Sequence, residues 1–376
     1  MILARKVRLL PTPEQLKQLW KSAGTARWAY NWALARQHEN YKNGGKFIPD
    51  GDLRKELTIL KRTEELTWLF EVSNNVTKQA IKDACEAFKR FFKKKAQFPR
   101  FKSKRKSKPA FYNDNVKLKV KDSIALIEKV GWVQTAEPLP MDVSYIQPRV
   151  SFDGKYWYLA IGIEQDMHIT ELTDVTLGID VGIKDLAVRS DGERYKNINK
   201  TKVVRWTKKR LRRLQRSVSR KYDMNKEGNR FAKTSNIIKQ EKQIRLLHRK
   251  LANIRNNHIH QVTNSIVKTK PSKIVIEDLN VSGMMKNKHL SKAIQEQKLH
   301  DFKVKLTYKC DKYGIELVEA DRWYPSSKMC SNCGTLKNDL KLSDRVYHCT
   351  CGLHIDRDLN AAINLANCGI PISDLT

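Results

Sequence analysis

The sequence predicts a multidomain α/β protein that also carries a β-barrel or small antiparallel sheet. Three observations lead there. Residues 1–10 and 111–170 alternate apolar with polar or basic side chains, the period of half-buried strands. Between them, to about residue 95, apolar residues recur at helical spacing. From 174 to 376 strands alternate with helices, the order that builds a sheet layered by helices.

"MILARKVRLL" is one strand, able to return to the later ones, and "PTPEQ" is a break followed by a helix start. "LKQLWKSAGTARWAYNWALARQ" and "VTKQAIKDACEAFKRFFKKK" belong to a region of several helices. It closes with "KRFFKKKAQFPRFKSKRKSKP", where Phe91, Phe92, Phe98 and Phe101 stand among Lys and Arg. That mixture suits a phosphate backbone with bases to stack on, or a solvated charge run anchored by its rings. "KLKVKDSIALI", "VSYIQPRVSFDG" and "KYWYLAIGIE" each read as a strand, cut off by Gly, Asp and Pro.

"VTLGIDVGIKDLAVRSDG" is a strand, a glycine turn and a second strand. Two basic helices follow, roughly 201–222 and 233–268, around the polar break "DMNKEGNR". "KIVIEDLN" is a continuous apolar strand ending in acids, a pattern of burial on both faces. A helix at about 291–312, a strand at 315–321, a cysteine segment and a last helix opening at "DRDLNAAINLA" complete the reading.

Lys and Arg number 73 against 40 Asp and Glu, a formal net charge of +33, and an excess of that size implies a polyanionic partner. Membrane is the rival, but no apolar run approaches the roughly 20 residues of a spanning helix. The opening residues hold no signal-peptide pattern. A cytoplasmic protein that binds nucleic acid, with no membrane partner, is expected.

The odd count of seven cysteines, in a chain read as intracellular, argues against a disulfide framework. Cys85, Cys310 and Cys368 are scattered and read as small buried hydrophobes. "CSNC" (Cys330, Cys333) and "CTC" (Cys349, Cys351) are two close pairs, each able to turn two thiolates toward one ion. Two such hairpins complete a tetrahedral four-sulfur site, which favours one structural Zn²⁺. Gly334 and Gly352 follow the pairs where a knuckle turn needs backbone freedom. The second pair is Cys-x-Cys, so His348 or His354 could replace a sulfur.

Asp180 follows an apolar strand and precedes a glycine, Glu277 ends "IVIEDL", and Asp358 lies in the first turn of the last helix. In this order and on these elements they describe an RNase H-like sheet. Three carboxylates meeting at one point repel unless hard cations neutralise them. Two Mg²⁺ ions roughly 4 Å apart would do so, while activating a water and stabilising the leaving oxygen of a phosphodiester. Asp185, Asp278 and Asp356 are the neighbouring choices. Asp278 points to the opposite face from Glu277, and Asp356 is placed to cap the helix, which leaves 180, 277 and 358.

The segments "RLLPTPEQ", "RWAYNWAL", "GIDVGIKDLAV", "IVIEDLNVSGM", "CSNCG" and "CGLHIDRDLNAA" together resemble the TnpB family, transposon-encoded RNA-guided DNA nucleases related to type V CRISPR effectors. The resemblance implies RuvC-type catalytic acids at Asp180, Glu277 and Asp358 that bind Mg²⁺, and zinc at Cys330, Cys333, Cys349 and Cys351. It implies a wedge β-barrel (1–10 and 111–172) with a helical recognition region (11–110) inserted. A RuvC nuclease domain (173–325 and 356–376) follows, interrupted by a zinc finger (326–355). Expected partners are a guide RNA from the transposon end and target double-stranded DNA, with no protein oligomer required. A nuclease-inactive RNA-guided repressor and a transposase-like nuclease without a guide share most of these features and are the alternatives.

Overall fold

The computed structural model describes residues 1–166, 171–228, 230–341 and 343–368; positions 167–170 and 369–376 of the segments above lie outside them. The chain forms two compact units, Met1–Gln165 and Asp166–Thr376.

The first unit runs β1 (Ile2–Leu10), α1 (Pro13–Lys42), α2 (Asp50–Leu60), a 3-10 turn (Glu64–Glu71) and α3 (Asn74–Phe92). Strands β2 (Ala110–Tyr112), β3 (Lys119–Lys121), β4 (Ile124–Ile127), β5 (Gly131–Thr135), β6 (Tyr145–Phe152) and β7 (Trp157–Glu164) follow. They join β1 in a seven-stranded antiparallel sheet of order β2-β6-β7-β1-β5-β4-β3. The first strand does return, to the middle. "PTPEQ" starts α1 because Thr12 and Gln15 form a reciprocal capping box with Pro13 as the first helical residue. Leu19, Ala26, Ala33 and Leu34 of α1 share one core with Val76, Ile81 and Phe88 of α3 and with the inner face of the sheet. Arg149 of β6 clamps Asp83 of α3 through two hydrogen bonds of 2.9 and 3.0 Å. "KLKVKDSIALI" is not one strand but the hairpin β3–β4, because Asp122 takes a left-handed φ of +47°, a conformation Asp tolerates, and reverses the chain. In the basic stretch Phe91, Phe92 and Phe98 pack on one another or on Phe88, while Phe92, Phe98 and Phe101 stay exposed.

The second unit opens with β8 (Thr173–Val181), β9 (Asp185–Arg189) and β10 (Arg194–Lys196), then α4 (Lys202–Met224), the short pair β11 (Lys226–Glu227) and β12 (Arg230–Phe231), and α5 (Ser235–Lys268). Next come β13 (Pro271–Glu277), α6 (Val281–Met284), α7 (Ser291–Gln297), α8 (Leu299–Tyr313) and β14 (Glu316–Ala320). The hairpin β15 (Val346–His348) and β16 (His354–Asp356) leads into α9 (Arg357–Ala366). The main sheet has order β10-β9-β8-β13-β14, antiparallel from β10 to β8 and parallel from β8 to β14. Ile179, Ile274 and Ile276 meet α5 and α8 on one face through Ile259, Ile266, Phe302 and Leu306. Helix α9 covers the other. The helix expected at 291–312 is broken in two at Lys298, whose φ is +59°. Side-chain bonds hold that unfavourable backbone: Gln297 donates to the Gly182 carbonyl (3.1 Å), and the Lys298 ammonium donates to Asn256 (2.7 Å) and Asp301.

Candidate functional site

Ile179 of β8 pairs with Ile276 of β13, so the next residues, Asp180 and Glu277, stand side by side on the two parallel strands. Side chains alternate along a strand, so Asp180 shares a face with Gly178, and Glu277 with Val275. That face is covered by α9: Val275 packs with Leu365. At Gly178 the approach is so close that an added Cβ would lie 1.9 Å from the Ala362 carbonyl oxygen. Glycine is required there, and the contact fixes the height of α9 over the sheet.

The start of α9 is fixed by Asp356, whose carboxylate accepts from the backbone N–H groups of Asp358 (3.0 Å) and Leu359 (3.2 Å). Asp358 follows within the first turn. Burial, then the negative charges of Glu277 and Asp358, push the Asp180 carboxyl well above the usual carboxylate range. The fold thus brings the three sequence-predicted acids into one electrostatic neighbourhood. All donors are hard carboxylate oxygens, and their mutual repulsion is what a divalent cation such as Mg²⁺ would relieve.

Two of the neighbouring acids are otherwise engaged. Asp278 pairs with Arg322 at 2.5 Å, and Lys303 lies 4.0 Å away. Asp356, besides capping, pairs with Arg194 (2.9 Å) and Lys184 (3.7 Å). Against its own burial, the Arg194 hydrogen bond holds it below the usual carboxylate range. Asp185 opens β9 and pairs in register with Lys196.

Cys330, Cys333, Cys349 and Cys351 place their sulfurs within 4.8 Å of one another, the only such group of potential ligands among the described residues. The sulfurs of Cys330 and Cys351 are 3.6 Å apart and those of Cys333 and Cys349 3.5 Å. Ligands about 2.3 Å from a tetrahedral Zn²⁺ would stand about 3.8 Å apart, so the four fit zinc. The shorter second pair therefore still completes the set. Gly334 and Gly352 turn the two hairpins at φ of +73° and +91°. His348 and His354 face each other across β15–β16, ring centroids 4.2 Å apart.

Sequence reasoning missed the residues that join knuckle to acids. Ser326 is buried and donates its hydroxyl hydrogen to Glu277. Asn364 of α9 donates to the carbonyls of Ser326 and Met329, both at 2.7 Å. Asn360, one turn earlier, donates to Met329 (2.7 Å) and accepts from the Ser331 N–H (3.0 Å). Both asparagines are buried, and their i, i+4 spacing on an apolar helix face was the available signal.

Comparison with known proteins places this geometry. Family models match residues 1–46 ("Helix-turn-helix domain", of the IS605 OrfB type), 161–288 ("Probable transposase", IS605 OrfB) and 300–365 ("Cas12f1-like, TNB domain"). A protein of Streptomyces pristinaespiralis named "Putative RNA-guided DNA endonuclease" is 34% identical over 98% of this chain and 90% of its own. The chain belongs to the TnpB family. InsQ of Escherichia coli K12, which carries the same description, is 31% identical over 97% of this chain and 92% of its own. Among solved structures, a Cas12f1–sgRNA–target DNA complex matches with a TM-score of 0.58 at 16% identity, over 94% of this chain and 82% of that one. The mini-RNA-guided endonuclease Cas-phi3 matches at 0.52 and 9% identity, over 99% and 93%. These two likenesses establish a shared fold. In this TnpB-family chain the 1–46 segment is a strand followed by one 30-residue helix, not a helix-turn-helix.

Proposed function

We propose that this protein is an RNA-guided DNA endonuclease of a transposon. It cuts target DNA beside a short flanking motif by two-metal-ion phosphodiester hydrolysis, with a guide RNA drawn from the transposon end. The register that sets Asp180 beside Glu277, with Asp358 near enough to act on the Asp180 carboxyl, supports the reading. The names of its full-length relatives supply the substrate class.

Asp180 and Glu277 present carboxylates from the ends of two parallel strands, and Asp358 closes the site from the helix above. When bound, Mg²⁺ supplies a polarised water as nucleophile and charge stabilisation for the leaving oxygen. The chain's own part is to hold the three acids rigidly: Gly178 sets the helix height, Asp356 sets the helix start and Ser326 orients Glu277. The four cysteines hold a structural Zn²⁺ that keeps residues 326–355 in shape.

The basic helices α4 and α5, with nineteen Lys and Arg between Lys202 and Arg255, and the basic stretch after α3 hold guide RNA and heteroduplex. Base pairing, not the protein, reads the target. In this reading 1–10 with 111–172 is the wedge barrel, 11–110 the recognition region, 173–325 with 356–376 the RuvC domain and 326–355 the zinc finger. The working form is a cytoplasmic monomer.

The test is reconstitution with the transposon-end RNA and Mg²⁺. Changing the guide segment should redirect cutting to the new match. Asp180→Ala, Glu277→Ala and Asp358→Ala should each abolish cutting and retain guided binding. RNA-free protein cutting at sites unrelated to any guide would defeat the proposal.

A further inference from the structure

The turn that joins β8 to β9 begins just past Asp180, and its backbone is held by side chains from elsewhere in the unit. Loops normally run over the surface with their carbonyls in water. Here each carbonyl from Gly182 to Asp185 accepts a side-chain hydrogen bond. Gln297 donates its amide hydrogens to Gly182 (3.1 Å) and Asp185 (3.4 Å). Asn197 donates to Ile183 (2.7 Å), and the Lys200 ammonium donates to Lys184 (2.9 Å).

Gln297 is the most deeply placed of these donors, 3% exposed, and its own amide is braced from behind. Its Oε1 accepts from Asn199 (3.2 Å), which also donates to the Glu296 carbonyl (3.0 Å). The Asn199 Oδ1 accepts from the Arg255 Nε of α5 (2.8 Å). The Glu296 carboxylate pairs with Arg255 (3.4 Å) and with Lys208 of α4. Directly after Gln297 the chain turns left-handed at Lys298, which ends α7 with the amide facing the turn. Backbone held in that region by its surroundings marks a place where position matters.

The turn carries two of the three acids' supports. At one end β8 delivers Asp180. From its middle Lys184 pairs with Asp356 (3.7 Å), the cap that fixes the start of α9 and so the place of Asp358. Carboxylates that share a divalent cation must be held to a fraction of an ångström, and groups behind the ligands tune metal affinity. We infer that Gln297 is a positioning residue for metal binding. By holding the turn it fixes Asp180 and, through Lys184 and Asp356, the helix start that carries Asp358. It touches neither cation nor DNA. This inference rests on the nuclease reading above and adds a buried residue outside the acid set that governs the set's affinity for Mg²⁺.

The experiment uses the full protein with its guide RNA and a matched DNA target. Gln297→Met keeps the side chain's length and removes its donors. Gln297→Glu keeps its shape and sets an oxygen against the Gly182 and Asp185 carbonyls. Both should raise the Mg²⁺ concentration for half-maximal cutting about 10- to 100-fold, with most of the rate recovered at saturating Mg²⁺ and guided DNA binding unchanged. Mn²⁺ bound to the complex is counted by electron paramagnetic resonance, with the Asp180→Ala complex as background. At a fixed Mn²⁺ concentration both variants should bind less than wild type. Asn199→Ala, which only frees the Gln297 amide, should shift the Mg²⁺ midpoint the same way by less, and it decides the matter if Gln297→Met does not fold. Ile266→Ala opens a cavity in the core beneath the same sheet and lowers the melting temperature, but its Mg²⁺ midpoint should stay that of wild type. An unchanged midpoint in either Gln297 variant, or an equal shift in Ile266→Ala, would overturn the inference. If wild type fails to cut, the nuclease reading falls, and the Mn²⁺ count still decides whether Gln297 governs metal binding.

Discussion

The hydroxyl of Ser326 donates a hydrogen bond to the carboxylate of Glu277, four residues before the first cysteine of the knuckle. One segment therefore enters the metal-type hairpin and orients an acid of the proposed site. A hydrogen bond to a charged group contributes about 1.5–3 kcal/mol. Ser326→Ala should lower single-turnover cleavage at least about tenfold and raise the Mg²⁺ concentration for half-maximal rate, with zinc content unchanged. Ser326→Thr should recover part of the rate.

Asp356 and Asp358 should separate cleanly. Asp356→Ala removes the α9 cap, worth about 1 kcal/mol, and should lower the melting temperature by a few degrees. Asp358→Ala should leave melting almost unchanged and abolish cutting. The reverse pattern would exchange the roles of the two acids.

Gly178→Ala drives a methyl group into the Ala362 carbonyl. Lifting α9 to relieve the clash should destabilise the second unit by about 1–3 kcal/mol or more and cost cutting in proportion. The same substitution at Gly24 in α1, where a Cβ meets nothing within 4 Å, should stabilise by up to about 1 kcal/mol. Thermal melts of the two variants give the comparison.

Metal analysis should find about one zinc per chain, lost in Cys330→Ser with Cys333→Ser, and local folding of 326–355 should loosen with it. Asn364→Ala strands the buried carbonyl of Ser326, while Met329 keeps its bond from Asn360. At about 1–3 kcal/mol per unsatisfied group, it should lower the melting temperature while the zinc remains bound.

In the first unit, Asp83 is held below the usual carboxylate range: burial opposes this, but the forked hydrogen bonds from Arg149 outweigh it. The folded value lies below the unfolded one of about 3.9, so this stabilisation is present above that pH and lost as pH falls through the folded value. Melting temperature plotted against pH below about 4 should be flatter for Asp83→Asn than for wild type.

What could be read from sequence was whatever depends on local period and spacing. The alternating 1–10 strand, the acids at the ends of β8 and β13, the Asp356 cap and the paired cysteines all declare themselves within a few residues. The break at Lys298 did not, because a residue disfavoured in left-handed backbone is held there by Asn256, 42 positions away. The β3–β4 reversal hung on one permissive aspartate. Ser326 was invisible for a different cause, and Asn360 and Asn364 showed only their spacing: each is an ordinary polar residue whose meaning lies in which buried carbonyl or carboxylate it reaches. Nothing within a few residues of Gly178 announces the helix that packs on it.

The glycine contact also orders events in time. Asp180 and Glu277 lie on neighbouring strands, but Asp358 leaves the ribosome 81 residues after Glu277 (358 − 277). At the usual pace of synthesis that is on the order of ten seconds. Once β14 (Glu316–Ala320) has been made, the nascent protein can assemble its five-stranded sheet, with a bare notch at Gly178 where the last helix will seat. Basic helices able to gather RNA are complete before the acid set is. On the proposed function, a chain made in this order acquires its grip on nucleic acid first and its capacity to cut last.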